Sequence, residues 1–169
     1  MFTTAFGGGQ ERGLRSGTEA VFLIVGFAEA MRLTYRSREA DSEAMRNIWH
    51  YTVKRLREEI PSVIINSCED GSPYICNISV SGMKNDKALK YLSDRKIYIS
   101  KAAACESNHK TVAPGTWRPK HPLSLQAAGI PLSLGRNTLR ISFGYDTVRD
   151  DVERLVSALS AFCSEVGLK

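Results

Sequence analysis

The sequence predicts an α+β domain, in which helices cover a small and mostly antiparallel sheet, preceded by a glycine-rich N-terminal arm. Apolar residues recur at helical spacing in long stretches near both ends of the chain, and short β-branched or alternating runs lie between them. The first 18 residues hold five glycines and few large apolar side chains. A chain of 169 residues with 43% apolar and 24% charged residues is typical of one globular domain with a substantial core.

Helical spacing indicates two helices in the first third of the chain and one at its end. The first is predicted over about residues 18–36, and the second over 45–60, where Pro61 ends it. We expect these two amphipathic helices to pack on a shared core. The last helix carries the apolar residues of 148–166, and Thr147–Asp150 has the spacing of a helix cap.

Between these helices, the spacing changes to that of β-strands. Four short strands are predicted, over residues 63–65, 74–80, 97–99 and 138–143. Asn85 is predicted to cap a helix that follows the second strand, and a short helix precedes the last strand. This mixed order of elements is typical of an α+β fold. The segment 106–122, with three prolines and few apolar residues, is expected to be the least ordered part.

Composition argues against several classes of function. No run of about 18 apolar residues exists, so we expect no membrane-spanning helix. The N-terminus lacks the features of a signal peptide, which favours the cytoplasm. The net charge of +5 is spread along the chain and accompanies no nucleic-acid-binding motif, so we expect no nucleic-acid partner. The cysteines lack paired spacing and are interpreted as free thiols: Cys68, Cys76, Cys105 and Cys163.

A metal site is a weaker alternative. Cys105, His109 and His121 could meet in space, but their spacing matches no zinc motif. The sequence therefore predicts no metal ligands.

The segment Gly7–Thr18 combines backbone freedom with groups that bind anions. It holds five glycines, two arginines, a glutamine and two hydroxyl side chains, and a helical pattern begins directly after it. Backbone N–H groups at a helix start, hydroxyls and guanidinium groups favour a phosphate or a carboxylate. Ser16 and Glu19 also have the spacing of a capping box, so a well-capped flexible loop is the alternative interpretation.

The run Gly7–Glu19, GGGQERGLRSGTE, resembles a signature of the cysteine desulfurases, which are pyridoxal-phosphate enzymes of the class V aminotransferase type, fold type I. The resemblance reaches to about Val166, but covers only the C-terminal part of the family's architecture. It implies that residues 19–169 form the small C-terminal domain and that the arm, residues 1–18, lies at a cofactor and dimer interface. Thr18 matches the threonine that reaches the pyridoxal phosphate of the neighbouring subunit.

Cys105 is the candidate catalytic residue. It follows a predicted strand and three alanines, and small neighbours leave its thiol uncrowded. Local sequence alone favours an inert cysteine, the commonest state of a free thiol. The resemblance implies instead that Cys105, within a catalytic-cysteine loop at 100–122, takes sulfur from L-cysteine as a persulfide while alanine is released. Lys101 and the alanines depart from the serines and glycines common in the family at this place.

Arg140 is the candidate substrate-binding residue. It lies in the middle of the predicted strand 138–143, where an arginine is usually a solvated or ion-paired residue. Its planar guanidinium is, however, the preferred clamp for a carboxylate. It matches a family arginine that holds the substrate α-carboxylate. Asn66, Pro73 and Asn77 also fall where the family has similar residues, and we interpret them as structural.

Family members carry a large domain upstream, with the lysine that holds the cofactor covalently, and nothing in this sequence matches it. We therefore expect the isolated chain to be inactive and to bind no pyridoxal phosphate covalently. A fragment of a longer enzyme and a chain that meets a second polypeptide both remain open. The implied partners are L-cysteine, a sulfur-acceptor protein, as in iron–sulfur cluster assembly, and a second copy in a homodimer. The alternatives are a selenocysteine lyase, another class V enzyme, or a non-catalytic dimerisation module.

Overall fold

The computed structural model describes residues 2–3, 5–101, 123–135 and 137–168, without the side chains of 123, 124 and 132. The chain divides into two compact units, Met1–Ala40 and Asp41–Lys169. A short 3₁₀ helix occupies Gln10–Gly13. The other elements, in chain order, are α1 (Val21–Glu59), β1 (Val63–Ile65), β2 (Ile75–Val80), α2 (Asn85–Ser93), α3 (Leu123–Ala127), α4 (Leu132–Gly135), β3 (Thr138–Ser142) and α5 (Arg149–Glu165).

The described strands form one antiparallel sheet in the order β1–β2–β3. Val63 pairs with Val80 between the first two strands, and Cys76 pairs with Ile141 between the last two. Alternate residues of each strand point to opposite faces, and one face is apolar. This confirms the predicted α+β class with its small antiparallel sheet.

The core lies between the apolar face of the sheet and the helices of the unit Asp41–Lys169. Leu56 of α1, Leu92 of α2 and Leu159 of α5 are fully buried in one cluster with Ile78 and Leu139 of the sheet. Each of these side chains contributes roughly 1.5–3 kcal/mol by leaving water. The opposite face of the sheet is therefore free to carry polar side chains.

The predicted strand 97–99 is wrong in its extent. Lys96 has a left-handed φ of 60°, and the amide of Ile97 bonds to the carbonyl of Leu92, so these residues close the end of α2. Only Ser100 joins the sheet, through an isolated antiparallel bridge to Arg140. The described sheet has three strands with a one-residue extension at its β3 edge.

The two predicted helices at 18–36 and 45–60 are one continuous helix, α1. The residues between the two patterns, 37–44, contain neither glycine nor proline, so nothing in the backbone interrupts the helix. Because the two predicted helices are one, they cannot pack on a shared core, and that expectation is also wrong. Apolar residues occur on all sides of 21–27 rather than along one stripe. Phe22 and Phe27 are 77% and 68% exposed.

Three predicted helix caps have other partners. The Ser16 hydroxyl donates to the carbonyl of Gly8, and the helix begins only at Val21. Asn85 donates through Nδ2 to the carbonyl of Thr138 at 2.8 Å, which ties α2 to β3. The Thr147 hydroxyl oxygen accepts a hydrogen bond from the amide of Gly144 at 2.8 Å. Each side chain that sequence assigned to a cap instead closes a turn or a tertiary contact.

A charged cluster joins α1 to α5. Nε of Arg55 lies 2.8 Å from Oε1 of Glu153, and the Tyr51 hydroxyl donates to the same carboxylate. The hydrogen bonds from Arg55 and then from Tyr51 lower the pKa of Glu153 to about 2. Both side chains are partly exposed, so water screens the attraction between their charges.

Candidate active site

Arg140 lies at the centre of β3, on the sheet face turned away from the core. Its neighbours Leu139 and Ile141 are buried on the apolar face, so alternation places the Arg140 side chain on the polar face. The side chain is half-buried, and its Nε is buried without a hydrogen-bond partner among the described residues. A buried donor left unpaired costs about 1–3 kcal/mol, so this guanidinium favours a ligand that supplies a hydrogen-bond acceptor.

The backbone of Arg140 is held on its outer side by Ser100. The amide of Ser100 donates to the carbonyl of Arg140 at 3.1 Å, and the amide of Arg140 donates back to the carbonyl of Ser100. Ser100 is the first residue of the predicted catalytic-cysteine loop, 100–122. The structure therefore joins the start of that segment directly to the candidate substrate-binding strand.

Two further contacts fix Lys101, the next residue. The hydroxyl of the fully buried Thr138 donates to the carbonyl of Lys101 at 3.4 Å and to the carbonyl of Gly135 at 3.1 Å. The Lys101 ammonium forms an ion pair with Asp86. Cys105 itself lies outside the described residues, and its role stays a prediction.

The other cysteines differ in their surroundings. Cys76 is fully buried, and burial raises the pKa of its thiol to about 12. Burial also raises the pKa of Cys163. Cys68 is a free, exposed thiol. Because the thiolate is the reactive form, Cys76 and Cys163 are poor nucleophiles and Cys68 is the natural internal reference for Cys105.

The glycine-rich arm folds upon itself within the unit Met1–Ala40. The amide of Ser16 donates to the carbonyl of Ala5 at 3.2 Å, and the amide of Gly13 donates to the carbonyl of Gly9 at 3.2 Å. Gly13 has a φ of 78°, which a side chain would strain. No residue of the 3₁₀ helix is buried, and Thr18 is exposed without a hydrogen-bond partner among the described residues. The free hydroxyl of Thr18 and the exposed Arg15 suit an anionic group such as a phosphate.

The structure does not bring all the candidates together. Arg140 and the start of the predicted cysteine loop share one sheet edge. Thr18 belongs to the other compact unit, Met1–Ala40. Sequence reasoning missed the contacts of Ser100 and Thr138, because both join segments that lie far apart in the sequence, and a local sequence pattern does not encode such pairing.

Among the described residues, no group of three histidine, cysteine or acidic side chains is placed to hold a metal ion. The set Cys105, His109 and His121 lies outside them. In the described part of the chain, no helix combines the length and the apolar character needed to cross a membrane.

The sequence model of the class-V aminotransferases matches residues 5–155, and the chain belongs to that family. Human selenocysteine lyase is 33% identical over 164 residues, covering 94% of this chain and 35% of that protein. Mitochondrial cysteine desulfurase of Arabidopsis thaliana is 28% identical over 150 residues, covering 89% of this chain and 31% of that protein. The chain thus spans about a third of the length of these curated relatives.

Solved structures agree on the fold. A NifS-like protein matches with a TM-score of 0.74 at 24% identity, over 96% of this chain and 39% of the other. A NifS-like protein from Rickettsia africae matches with a TM-score of 0.71 at 20% identity, over 96% of this chain and 40% of the other. At these identities the likeness shows the fold, and the site must be argued from this chain's own residues.

Proposed function

We propose that this chain is the C-terminal part of a cysteine desulfurase, which takes sulfur from L-cysteine with pyridoxal phosphate as cofactor. The observation that carries the proposal is the half-buried guanidinium of Arg140, whose Nε has no hydrogen-bond partner among the described residues, beside Ser100, where the segment with Cys105 begins.

In this proposal Arg140 binds the α-carboxylate of L-cysteine through two parallel hydrogen bonds. The substrate is thereby oriented with its sulfur toward the segment that starts at Ser100. The Cys105 thiolate forms an S–S bond with the substrate sulfur as the substrate's C–S bond breaks. The electron pair of that bond stays on the substrate carbon, which takes up a proton and leaves as the methyl group of alanine, and Cys105 keeps the sulfur as a persulfide for an acceptor protein.

Pyridoxal phosphate, when bound, supplies the electron sink that weakens bonds at the substrate's carbon atoms. The part of this chain that suits it is the exposed Thr18 hydroxyl, which we assign to the phosphate group of a neighbouring subunit's cofactor in a homodimer. The covalent lysine is proposed to lie in the part of the relatives' length that this chain does not cover. The isolated chain should accordingly be inactive, and borohydride should trap no stoichiometric cofactor adduct on it.

The exposed apolar residues of α1 support a role within a larger assembly. Phe22 and Phe27 lie in a stretch that is apolar on all sides, and a helix of that kind is usually buried. We propose that the remainder of the enzyme, whether in the same polypeptide or another, covers it. A cytoplasmic setting is proposed on the sequence alone, and the relatives include proteins named as mitochondrial.

The test is persulfide formation in the complete protein that carries this chain, measured by mass spectrometry after incubation with L-cysteine. Cys105→Ala should leave no protein-bound sulfur, whereas Cys68→Ala, the exposed reference thiol, should behave like the wild type. Persulfide that persists in Cys105→Ala would refute the assignment. Labelling of Cys105 no faster than Cys68 by a thiol reagent would favour the non-catalytic dimerisation module.

Selenocysteine lyase is the second candidate, because the human protein of that name is 33% identical to this chain. The two activities use the same carboxylate clamp and differ in the chalcogen that leaves. Turnover of L-selenocysteine and L-cysteine by the complete protein, compared as kcat/KM, separates them. A preference for L-cysteine supports the first proposal, and turnover of L-selenocysteine alone replaces it by the second.

A further inference from the structure

The polar face of the sheet places Asn77 of β2 directly opposite Arg140 of β3. Both backbone hydrogen bonds of Arg140 run to Ser100, on the side away from β2. Asn77 and Arg140 therefore form a non-hydrogen-bonded pair, the kind in which Cα atoms approach to about 4.5 Å and side chains stand side by side. Asn77 is therefore the residue of β2 that lies directly opposite Arg140.

Asn66 fixes the orientation of the Asn77 amide. Its Nδ2 donates at 2.8 Å to Oδ1 of Asn77 and at 2.8 Å to Oγ of Ser79. Because the carbonyl oxygen of Asn77 faces Asn66, on the β1 side, its amino group is directed away from β1. That direction is the side on which β3 carries Arg140.

The pair is rich in donors and lacks an acceptor. The amino group of Asn77 has no hydrogen-bond partner in the part of the chain that the structure describes, and neither has the buried Nε of Arg140. No described aspartate or glutamate forms an ion pair with Arg140. Adjacent donors without an acceptor, one of them charged, are complementary to an anion with two oxygen atoms.

We propose that Asn77 is a second carboxylate-binding residue, which together with Arg140 holds the α-carboxylate of the amino-acid substrate. This inference rests on the proposed function, in which Arg140 binds that carboxylate. The guanidinium takes both carboxylate oxygens, and the Asn77 amino group donates to a remaining lone pair of one of them. Asn66 is then a positioning residue, because its bond to Oδ1 keeps the Asn77 amino group turned toward the site.

The test uses the complete protein that carries this chain, labelled with ¹⁵N and titrated with L-alanine, the expected product, and with L-alaninamide, which lacks the carboxylate. The side-chain signals of Arg140 Nε and Asn77 Nδ2 should shift together with one dissociation constant. L-alaninamide should move neither signal. A shared constant is the signature of one ligand touching both groups.

Two variants remove the Asn77 donor in different ways. Asn77→Ala adds no charge and leaves Asn66 its bond to Ser79, whereas Asn77→Asp keeps the acceptor oxygen for Asn66. Each should raise the dissociation constant for L-alanine at least tenfold, since a hydrogen bond to a charged group is lost. Ser142→Ala, on the same face but at an exposed position, is the matched control and should not change it.

The outcomes separate this inference from the proposed function. If Arg140 shifts alone, and Asn77→Ala binds L-alanine within twofold of the wild type, the role of Asn77 is refuted and that of Arg140 stands. If neither signal responds to L-alanine, both the Asn77 site and the carboxylate role of Arg140 are refuted. Retained backbone spectra in both variants show that a loss of binding is not a loss of fold.

Discussion

Thr138→Val tests whether the hydroxyl of Thr138 holds the start of the cysteine segment against the sheet. The side chain is fully buried, and its hydroxyl donates to the carbonyls of Gly135 at 3.1 Å and Lys101 at 3.4 Å. Valine keeps the shape and removes the donor, so the carbonyls of Gly135 and Lys101 lose the one hydroxyl hydrogen that they share, and the Gly135 carbonyl is left buried without it. Leaving such a group unsatisfied costs about 1–3 kcal/mol.

For a chain of this size, each kcal/mol lowers the melting temperature by about 2–4 °C, so the expected loss is about 2–12 °C. Thermal unfolding of the chain measures this loss of melting temperature. In urea denaturation, the midpoint should fall at an unchanged m-value. Hydrogen exchange adds a local measurement. The Arg140 amide, which bonds to Ser100, should exchange faster once the carbonyl of Lys101 is released.

Thr52→Val in α1 is the matched control, because Thr52 is equally buried but donates only to the carbonyl of Ile48 at 2.8 Å. That carbonyl lies one helical turn earlier and already accepts a bond of the helix ladder, so little should be lost. Equal destabilisation by the two substitutions would refute the reasoning, as would unchanged exchange of the Arg140 amide in Thr138→Val.

Three further predictions concern the site and its support. In the complete protein, Arg140→Lys keeps the charge but loses the two-pronged geometry, and should raise KM for L-cysteine by tenfold or more, with an unchanged KM counting against the clamp. Thr18→Val should weaken retention of pyridoxal phosphate by about tenfold, because one hydrogen bond to a charged group is lost, while labelling of Cys105 is unaffected; equal cofactor affinity would remove Thr18 from the phosphate site. Arg55 lowers the pKa of Glu153 to about 2 from an ordinary 4.5. The ionised Glu153 carboxylate therefore contributes to the stability of the fold above pH 4.5, and this contribution is lost as the pH falls toward 2. Glu153→Gln should flatten that part of the stability profile in acid denaturation, and a profile identical to the wild type would contradict the assignment.

The sequence by itself determined the class of the fold and, for β3 and much of α5, which residues face the core. In β3 the alternation of Leu139, Arg140 and Ile141 was enough to place the arginine on the polar face, because side chains of a strand alternate whatever their partners are. The apolar periodicity of α5 identified four of its buried residues, Val152, Leu155, Val156 and Leu159, but it missed Phe162 and Cys163. Val148 and Val166, which belonged to the predicted apolar set, are exposed. The motif at Gly7–Glu19 gave the family through resemblance, and the family match confirms it.

Tertiary structure decided which residues meet. The single bridge that Ser100 makes to β3 and the contacts of Asn85 and Thr138 all depend on partners far along the chain. The register that sets Asn77 opposite Arg140 is of the same kind. The local sequence pattern predicts which face of a helix or strand is buried. The register between strands follows instead from the packing of the whole sheet. Hydrogen-bond partners are chosen only once that packing exists.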